Sequence, residues 1–500
     1  MLDHKITETS SSKKPLIPKS VPFIIGNEFA ERFSFYGMRS IIAVFLVHQF
    51  FNHDTSVIAN AKANAINHAF STLVYFTPLL GAILADWFFG KYKVILIGSI
   101  IYTIGHFILS MFDTSLPGFL TGLVVIAFSA GAIKSCVSAN VGDQFDHKNK
   151  HLMSSIYGWF YFSINAGSMI SLLLIPLIYE KAGAAWAFGV PGILMALATL
   201  IFFSGRKLYV RLPAGGIKKD NFVTLNFFVL NCYITKKDPV KTAWQQAIDK
   251  YGIEKVEAIK AVWGVIAVFA FIPIFWGMWD MNGSEWVLQS TKLDLNLGIF
   301  NMQILPSQIQ FVNALFLLLM IPIFNYGLYP LVEKLGIKLT PLKKIGTGLF
   351  ITAFSFVIIA RLQTKVDAGL HPSVWWQILA YAFLSAGEVL VSITGLEYAY
   401  TQSPPSMKST MTAIWYLTYS IGTFFTTLIN VNIANKGMFA YFTGDKYFWL
   451  FVGIMFFFVL LFILVSPYIK EKSYLAGDDI TTEPRHLGSD IINPEANPLI

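Results

Sequence analysis

The sequence predicts an all-helical membrane protein, and three observations carry that prediction. Of its 500 residues 55% are hydrophobic and 13% charged, roughly half the charged share of a soluble globular chain. The apolar residues gather in runs long enough to cross a bilayer. The Lys and Arg residues fall mostly in the loops between those runs, and they favour one side.

Twelve runs read as spanning helices: 21–51, 63–90, 93–112, 117–142, 152–179, 185–205, 259–284, 305–333, 342–362, 373–402, 408–434 and 446–469. Most exceed the hydrocarbon thickness and imply tilt. An even number places both ends on one side. Lys13, Lys14, Lys19, Lys91, Lys93, Lys148, Lys150, Lys343 and Lys344 all fall there, which makes it the cytoplasm. The expected layout is an N-terminal tail (1–20), a six-helix bundle (21–205), a cytoplasmic linker (206–258), a second six-helix bundle (259–470) and a C-terminal tail (471–500). In the linker, Phe222 to Ile234 is too short to span, and Trp244 to Ala261 reads as an amphipathic helix on the membrane surface.

The same pass excludes several classes. The net charge of +8 could suit nucleic acid, but loop topology accounts for it. Two cysteines give no disulfide framework. The polar first twenty residues lack a signal-peptide cleavage pattern. No P-loop, no nucleophile paired with a base and no clustered metal spacing is present, so no enzyme, cofactor or metal is expected.

The chain is organised around residues 27–39. Glu28, Glu31, Arg32 and Arg39 lie inside an apolar run, where ions are costly unless they meet each other or a polar cavity. At 3.6 residues per turn these four and Phe35 share an arc of roughly 100°. Asn27 to Gly37, with Glu28, Glu31, Arg32, Phe33, Tyr36 and Gly37, resembles the E-x-x-E-R-F-x-Y-Y-G signature of the proton-coupled oligopeptide transporters. That family is a branch of the major facilitator superfamily, whose fold has twelve helices in two six-helix halves. Phe35 departs from the signature, which has Tyr there.

Further stretches resemble the same family. Gly81, Ala85, Asp86 and Gly90 match the G-x-x-x-A-D-x-x-x-G part of the major facilitator pattern, with Lys91 and Lys93 directly after it, and Gly81, Asp86 and Gly90 are expected in the scaffold of the cytoplasmic gate. Lys134 is a cation in mid-span, too deep to reach the interface easily. The resemblance gives it a peptide carboxylate; a structural ion pair with Asp280 is the competing reading. Residues 160–168 resemble the family's F-Y-x-x-I-N-x-G-S segment and place Tyr161 and Asn165 on one face. His68 and Tyr75 precede the Gly81 motif; by resemblance His68 handles protons, although a lone helical His is otherwise a satisfied core residue.

Phe275 to Trp286 resembles F-W-x-x-x-(D/E)-Q-x-G-S and supplies Trp276 and Asp280 beyond a kink at Pro273. Animal relatives pair an Arg beyond this motif with an Asp on the eighth span. Here Glu285 and Asn325 stand in those places, so that latch is absent. Asn313 on the eighth span, Glu388 and Ser392 in a G-E-x-x-x-S pattern on the tenth, and Trp415 on the eleventh match substrate-facing positions of the family.

The resemblance implies a proton-coupled symporter that imports di- and tripeptides by alternating access. Arg32, Arg39 and Lys134 would attract the peptide carboxylate, and Glu388 with Asn165 and Asn313 the amino end. Tyr36, Tyr75, Tyr161, Trp276 and Trp415 would form a tolerant aromatic wall. Glu28, Glu31, Arg32, His68 and Asp280 are the proton-coupling candidates. A nitrate-type anion transporter is the rival, because plant relatives share the fold; a carboxylate at Glu388 suits an ammonium and opposes nitrate. A nutrient receptor without transport is the third reading. The expected partners are peptides, protons and membrane lipids, with no nucleic acid. A monomer in a bacterial inner membrane is expected, with both termini cytoplasmic.

Overall fold

The computed structural model describes residues 17–145, 149, 152–216, 221–235, 241–298, 303–403 and 407–469. Lys13, Lys14, Lys148, Lys150 and the tail 471–500 lie outside the described residues. Regular structure among those described is helical, and the β-type pairing is limited to two isolated bridges. The all-helical class read from the sequence is the observed one.

The first half contains α1 (Val21–Gln49), α2 (Ser56–Ile83, prolonged by a π-helical turn Leu84–Phe89), α3 (Lys91–Met111), α4 (Leu116–Gly142), α5 (Met153–Ala182) and α6 (Ala184–Ser204). Two helices follow in the linker, α7 (Phe222–Thr235) and α8 (Ala243–Tyr251). The second half contains α9 (Ile253–Phe269), α10 (Ile272–Asp280), α11 (Glu285–Ser290), α12 (Phe311–Ile323), α13 (Tyr329–Lys334), α14 (Pro341–Asp367), α15 (Trp375–Glu388), α16 (Thr394–Thr401), α17 (Lys408–Ala434) and α18 (Asp445–Val465). Among the described residues nine helices are long and apolar enough to cross a membrane, and α9 with α10–α11 makes a tenth crossing bent by 49°. The helices α1 and α17, 29 and 27 residues long, are less apolar. They carry polar faces that meet at the site below.

Buried apolar side chains form two main clusters. One runs from Val21 to Tyr209, the other mostly from Leu225 to Phe462, with Ala43, Val44 and Ala61 reaching in from the first half. The large apolar residues left outside, such as Phe107, Leu200 and Leu464, face what would be lipid, where exposure carries no penalty.

Several boundaries differ from the sequence reading for identifiable reasons. α2 starts at Ser56 rather than 63, because its first turns are rich in Ala and Asn: good helix formers in part, but too polar for a hydropathy reading. The amphipathic helix expected to reach Ala261 stops at Tyr251. Gly252 adopts φ +86° there, and α9 starts at Ile253. Cys232 is buried within α7 and both cysteines are free thiols.

Breaks in the second half have local causes. Pro273 sits in the first turn of α10, at the bend. Pro322 lies inside α12, just ahead of a π-helical turn Phe324–Leu328. A second π-helical turn, Val389–Ile393, begins one residue after Glu388. Such turns are common at functional sites.

Glycines permit the closest helix approaches. A Cβ on Gly81 would lie 2.6 Å from Cα of Ala132 on α4. A Cβ on Gly422 of α17 would lie 2.0 Å from the Pro273 carbonyl in the first turn of α10. This backbone contact holds the broken helix against α17. Gly422→Val should therefore destabilise the fold by about 1–3 kcal/mol or more. Thermal unfolding of the detergent-solubilised protein, followed by intrinsic fluorescence, is expected to show a lowered midpoint; an unchanged midpoint would mean that α17 is free to move away.

Candidate functional site

The polar face of α1 divides into two ion clusters. Near its middle, Arg32 Nε lies 2.7 Å from Glu28 Oε1 and 2.8 Å from Glu31 Oε2. All three side chains are buried. Two turns further on, Arg39 leaves the first half altogether and pairs with Asp280 on α10. Asp280 Oδ1 also accepts from the Tyr419 hydroxyl of α17 at 2.5 Å. Its other oxygen, Oδ2, lies 2.7 Å from His68 Nδ1 of α2.

His68 is itself a bridge. Its Nε2 lies 2.9 and 3.0 Å from the two oxygens of Glu285. Glu285 in turn accepts from Tyr447 Oη at 2.8 Å, Asn430 Nδ2 at 3.2 Å and the neighbouring Ser284 hydroxyl. Arg39 and the His68 ring thus bridge Asp280 and Glu285. Three ionisable side chains and the histidine between them, drawn from both halves and fully buried or nearly so, are hydrogen-bonded to one another, the condition under which buried charge persists.

Lys134 on α4 does not form the ion pair with Asp280 that was the competing reading. Its ammonium lies over the rings of Phe35 at 4.1 Å and Tyr75 at 4.5 Å, a cation–π sandwich. Asp280 is already occupied by Arg39, His68 and Tyr419. The contact also explains why Phe at position 35 is tolerated: the ring face, not a hydroxyl, meets the cation. Tyr75 stacks on Tyr419 across the two halves, centroids 3.7 Å apart.

Glu388 stands at the end of α15. Its Oε2 accepts from Trp279 Nε1 at 2.6 Å and from Asn313 Nδ2 at 2.9 Å. Asn313 Oδ1 accepts from Ser385 Oγ at 3.4 Å. These donors are neutral. Among the described residues, Lys134 and Glu388 are the two members of this polar constellation with no opposite charge in ion-pair contact.

The aromatic residues of α10 and α17, with Tyr75, form one connected group. Trp276 packs on Trp279, Trp415 and Tyr419, with centroids 5.7, 5.8 and 4.8 Å apart. Trp415 leans on Phe269 and on the space beside Gly395. Tyr36 is half-buried and meets Phe35 edge-on. On α5, Tyr161 is exposed, and the Asn165 amide donates to its carbonyl at 2.9 Å. Ser392 lies partly buried in the π-helical turn after Glu388.

At the other end of α2, Gly81 makes the close contact described above, and Gly90 has φ +78°, where a Cβ would lie 3.0 Å from the Leu212 carbonyl. The exposed Asp86 binds through its backbone, its carbonyl accepting from Gly215 N at 2.8 Å. Among the described residues no ion pair reaches its carboxylate; Lys91 pairs instead with Asp143 at 2.8 Å.

Sequence reading missed Tyr419, Trp279, Tyr447 and Asn430 and treated Glu285 only as a lost latch. Glu285 had a readable signal, a carboxylate within a spanning segment. Tyr419 had a weaker one, four residues beyond Trp415 on the same face. Trp279 had none, since its partner Glu388 is 109 residues away.

Hydrogen bonds between the halves concentrate at one end. Besides the His68–Arg39 cluster, Gln308 donates to the Leu173 carbonyl at 2.8 Å and Gln310 to the Ser40 carbonyl at 3.3 Å. Thr72 and Ser420 link α2 to α17. These bonds join the halves from mid-span toward the face opposite the linker. Asp280→Asn would leave buried Arg39 without its counter-ion and should shift the halves apart there. Spin labels at Asn52 and Thr291 are expected to report longer distances in this variant than in wild type; an unchanged distribution would mean that the cluster does not hold the face shut.

A model of the POT family matches residues 92–450. The chain is 36% identical over 401 residues to human solute carrier family 15 member 2, covering 76% of this chain and 54% of that relative. It is 38% identical over 371 residues to peptide transporter 3 of Caenorhabditis elegans, covering 70% and 51%. The chain thus spans about half the length of the curated relatives it matches. Among solved structures it is similar to an auto-inhibited POT family peptide transporter, at 34% identity and TM-score 0.84 over 93% of this chain and 99% of that one. It is likewise similar to the POT family transporter PepTSo, at 34% identity and TM-score 0.83, covering 91% and 99%. With a family match over most of its length and a site assembled from both helical halves, this multi-pass membrane protein belongs to the POT family.

Proposed function

We propose that the protein is a proton-coupled symporter that imports di- and tripeptides by alternating access. The observation that carries this reading is the pair of unmatched poles, Lys134 in the first half and Glu388 with Asn313 in the second. A zwitterion brings one carboxylate and one ammonium, so it can satisfy both poles and draw the halves together. The aromatic wall of Trp276, Trp415, Tyr36, Tyr75 and Tyr161 offers ring faces rather than shaped hydrogen-bonding slots. It therefore tolerates varied side chains.

Glu388 argues against nitrate, because an unpaired carboxylate in the cavity repels an anion. A receptor without transport is disfavoured by the site's position between the two halves, whose residues it joins. The transport cycle needs no cofactor and no covalent step; the proton gradient drives it. The termini are assigned to the cytoplasm of a bacterial inner membrane, and the working unit is the monomer.

Protons act through the ion clusters. While Glu28 and Glu31 are ionised they occupy Arg32; protonating them frees the guanidinium for a peptide carboxylate. Each ligand thereby favours the other.

Lys134→Ala should abolish gradient-driven accumulation of a dialanine-type substrate in proteoliposomes, and accumulation equal to wild type would remove Lys134 from the site. Glu388→Gln should weaken binding of a free dipeptide by on the order of 2–5 kcal/mol, at least about tenfold. An N-acetylated dipeptide, already poor for wild type, should lose little more. Binding of both ligands to both proteins closes a thermodynamic cycle; equal weakening would show that Glu388 does not read the amino terminus.

A further inference from the structure

The side chain of Glu285 is buried, yet it touches a cavity on the face opposite the linker. This cavity has a volume of about 170 Å³ and lies among α2, α11, α14, α17 and α18. Its mouth carries exposed Ser56, Lys292 and Asp367, and its floor carries Asn64, Asn430 and Glu285. Relative exposure falls from the mouth inward to 5% at Glu285 and to 0% at His68 and Asp280 behind it. Amide groups line the descent, so the space is both polar and large enough for several waters. Glu285 is the first ionisable group of the buried cluster on this descent.

The bridge itself holds an exchangeable proton. Both ring nitrogens of His68 face carboxylate oxygens, Asp280 at 2.7 Å and Glu285 at 2.9 Å. A neutral imidazole has one N–H. The second nitrogen would then present its lone pair to a carboxylate, which is repulsive unless that carboxylate or the ring carries one more proton. The groups facing Glu285 are His68 from α2, Tyr447 from α18 and Asn430 from α17; Asp280 and Arg39 act through His68, and Lys292 and Asp367 stand at the mouth. Tyr447, Asn430 and Ser284 donate to Glu285 and hold it in register with His68 Nε2 whichever group bears the proton.

We propose that Glu285 is the proton-entry acceptor of this transporter, filled from the cavity on the face opposite the linker and discharging to His68. A hydronium in the cavity gives its proton to the Glu285 carboxylate and leaves as water. The proton passes to His68 Nε2, and the Nδ1 proton passes to Asp280, which then loosens its hold on Arg39. The inference rests on the symport reading above and adds the port, its side and its first acceptor.

The test uses the full-length protein in proteoliposomes, with a dialanine-type substrate. Wild type should concentrate it under an inward proton gradient. In Glu285→Gln, accumulation should fall at least about tenfold while counterflow at equal pH stays within about twofold, and half-maximal uptake should need a lower external pH. A second variant leaves the cluster intact: Asn60→Cys at the cavity wall, with Cys136 and Cys232 replaced. A membrane-impermeant cationic thiol reagent on the cavity side should slow gradient-driven uptake and spare counterflow. Wild-type accumulation by Glu285→Gln, or loss of accumulation and counterflow together, overturns the assignment, and so does a reagent without effect on a fully labelled Asn60→Cys protein. If wild type fails to respond to the gradient at all, the symport reading falls first and this inference with it.

Discussion

The buried bridge from Arg39 through Asp280 to His68 is the constraint on which the arrangement of both halves depends. Each of these groups would be several kcal/mol more costly alone in an apolar interior. Each comes from a different helix, α1, α10 and α2, so none can satisfy its charge without the others. The bridge therefore sets the rotation of α1 about its axis, the distance between the halves and the face that closes. The bend at Pro273 serves the same requirement. It lets the short α10 present Asp280 to α1 and α2 while Gly277 and Gly422 keep its backbone against α17.

Within this frame the ions sort into two kinds. Glu28, Glu31 and Arg32 are paired inside one helix, and Arg39, His68, Asp280 and Glu285 are paired between halves. Such pairs are bistable, because one proton is enough to change which partner is free. Lys134 and Glu388 are different. They are held by ring faces and neutral donors, contacts that keep each side chain in place without neutralising it. Residual charge at two separated points, backed by rings that do not discriminate side-chain shape, is a physical description of a site for small zwitterions.

The interruptions of the second half also take on meaning together. A bend precedes Asp280, and a π-helical turn follows Glu388. Each places a carboxylate next to a stretch of backbone with weakened helical bonding, where small rotations cost least. The first half supplies the cations Arg32, Arg39 and Lys134 from long helices; the second supplies Asp280, Glu285 and Glu388 from broken ones.

The sequence by itself determined the membrane class, the ion-bearing face of α1, the glycine contact at Gly81 and most residues of the two poles. The first two are local: composition and spacing within a single helix specify them, because burying an ion or an apolar stripe has the same consequence wherever the helix lies; the Gly81 contact and the pole residues were legible through resemblance to the family's motifs. Tertiary structure alone decided the partners. Lys134 had Asp280 as its candidate counterpart in the sequence and does not pair with it, since Arg39, His68 and Tyr419 already hold Asp280 and two aromatic rings lie against the ammonium. Glu285, read as a missing latch, became half of a histidine bridge because α2 and α11 pack side by side, 217 residues apart in the chain. Trp279 and Tyr419 entered the site for the same reason. The pairing energy of buried charges depends on distances between helices, and no period or spacing along one helix encodes those distances.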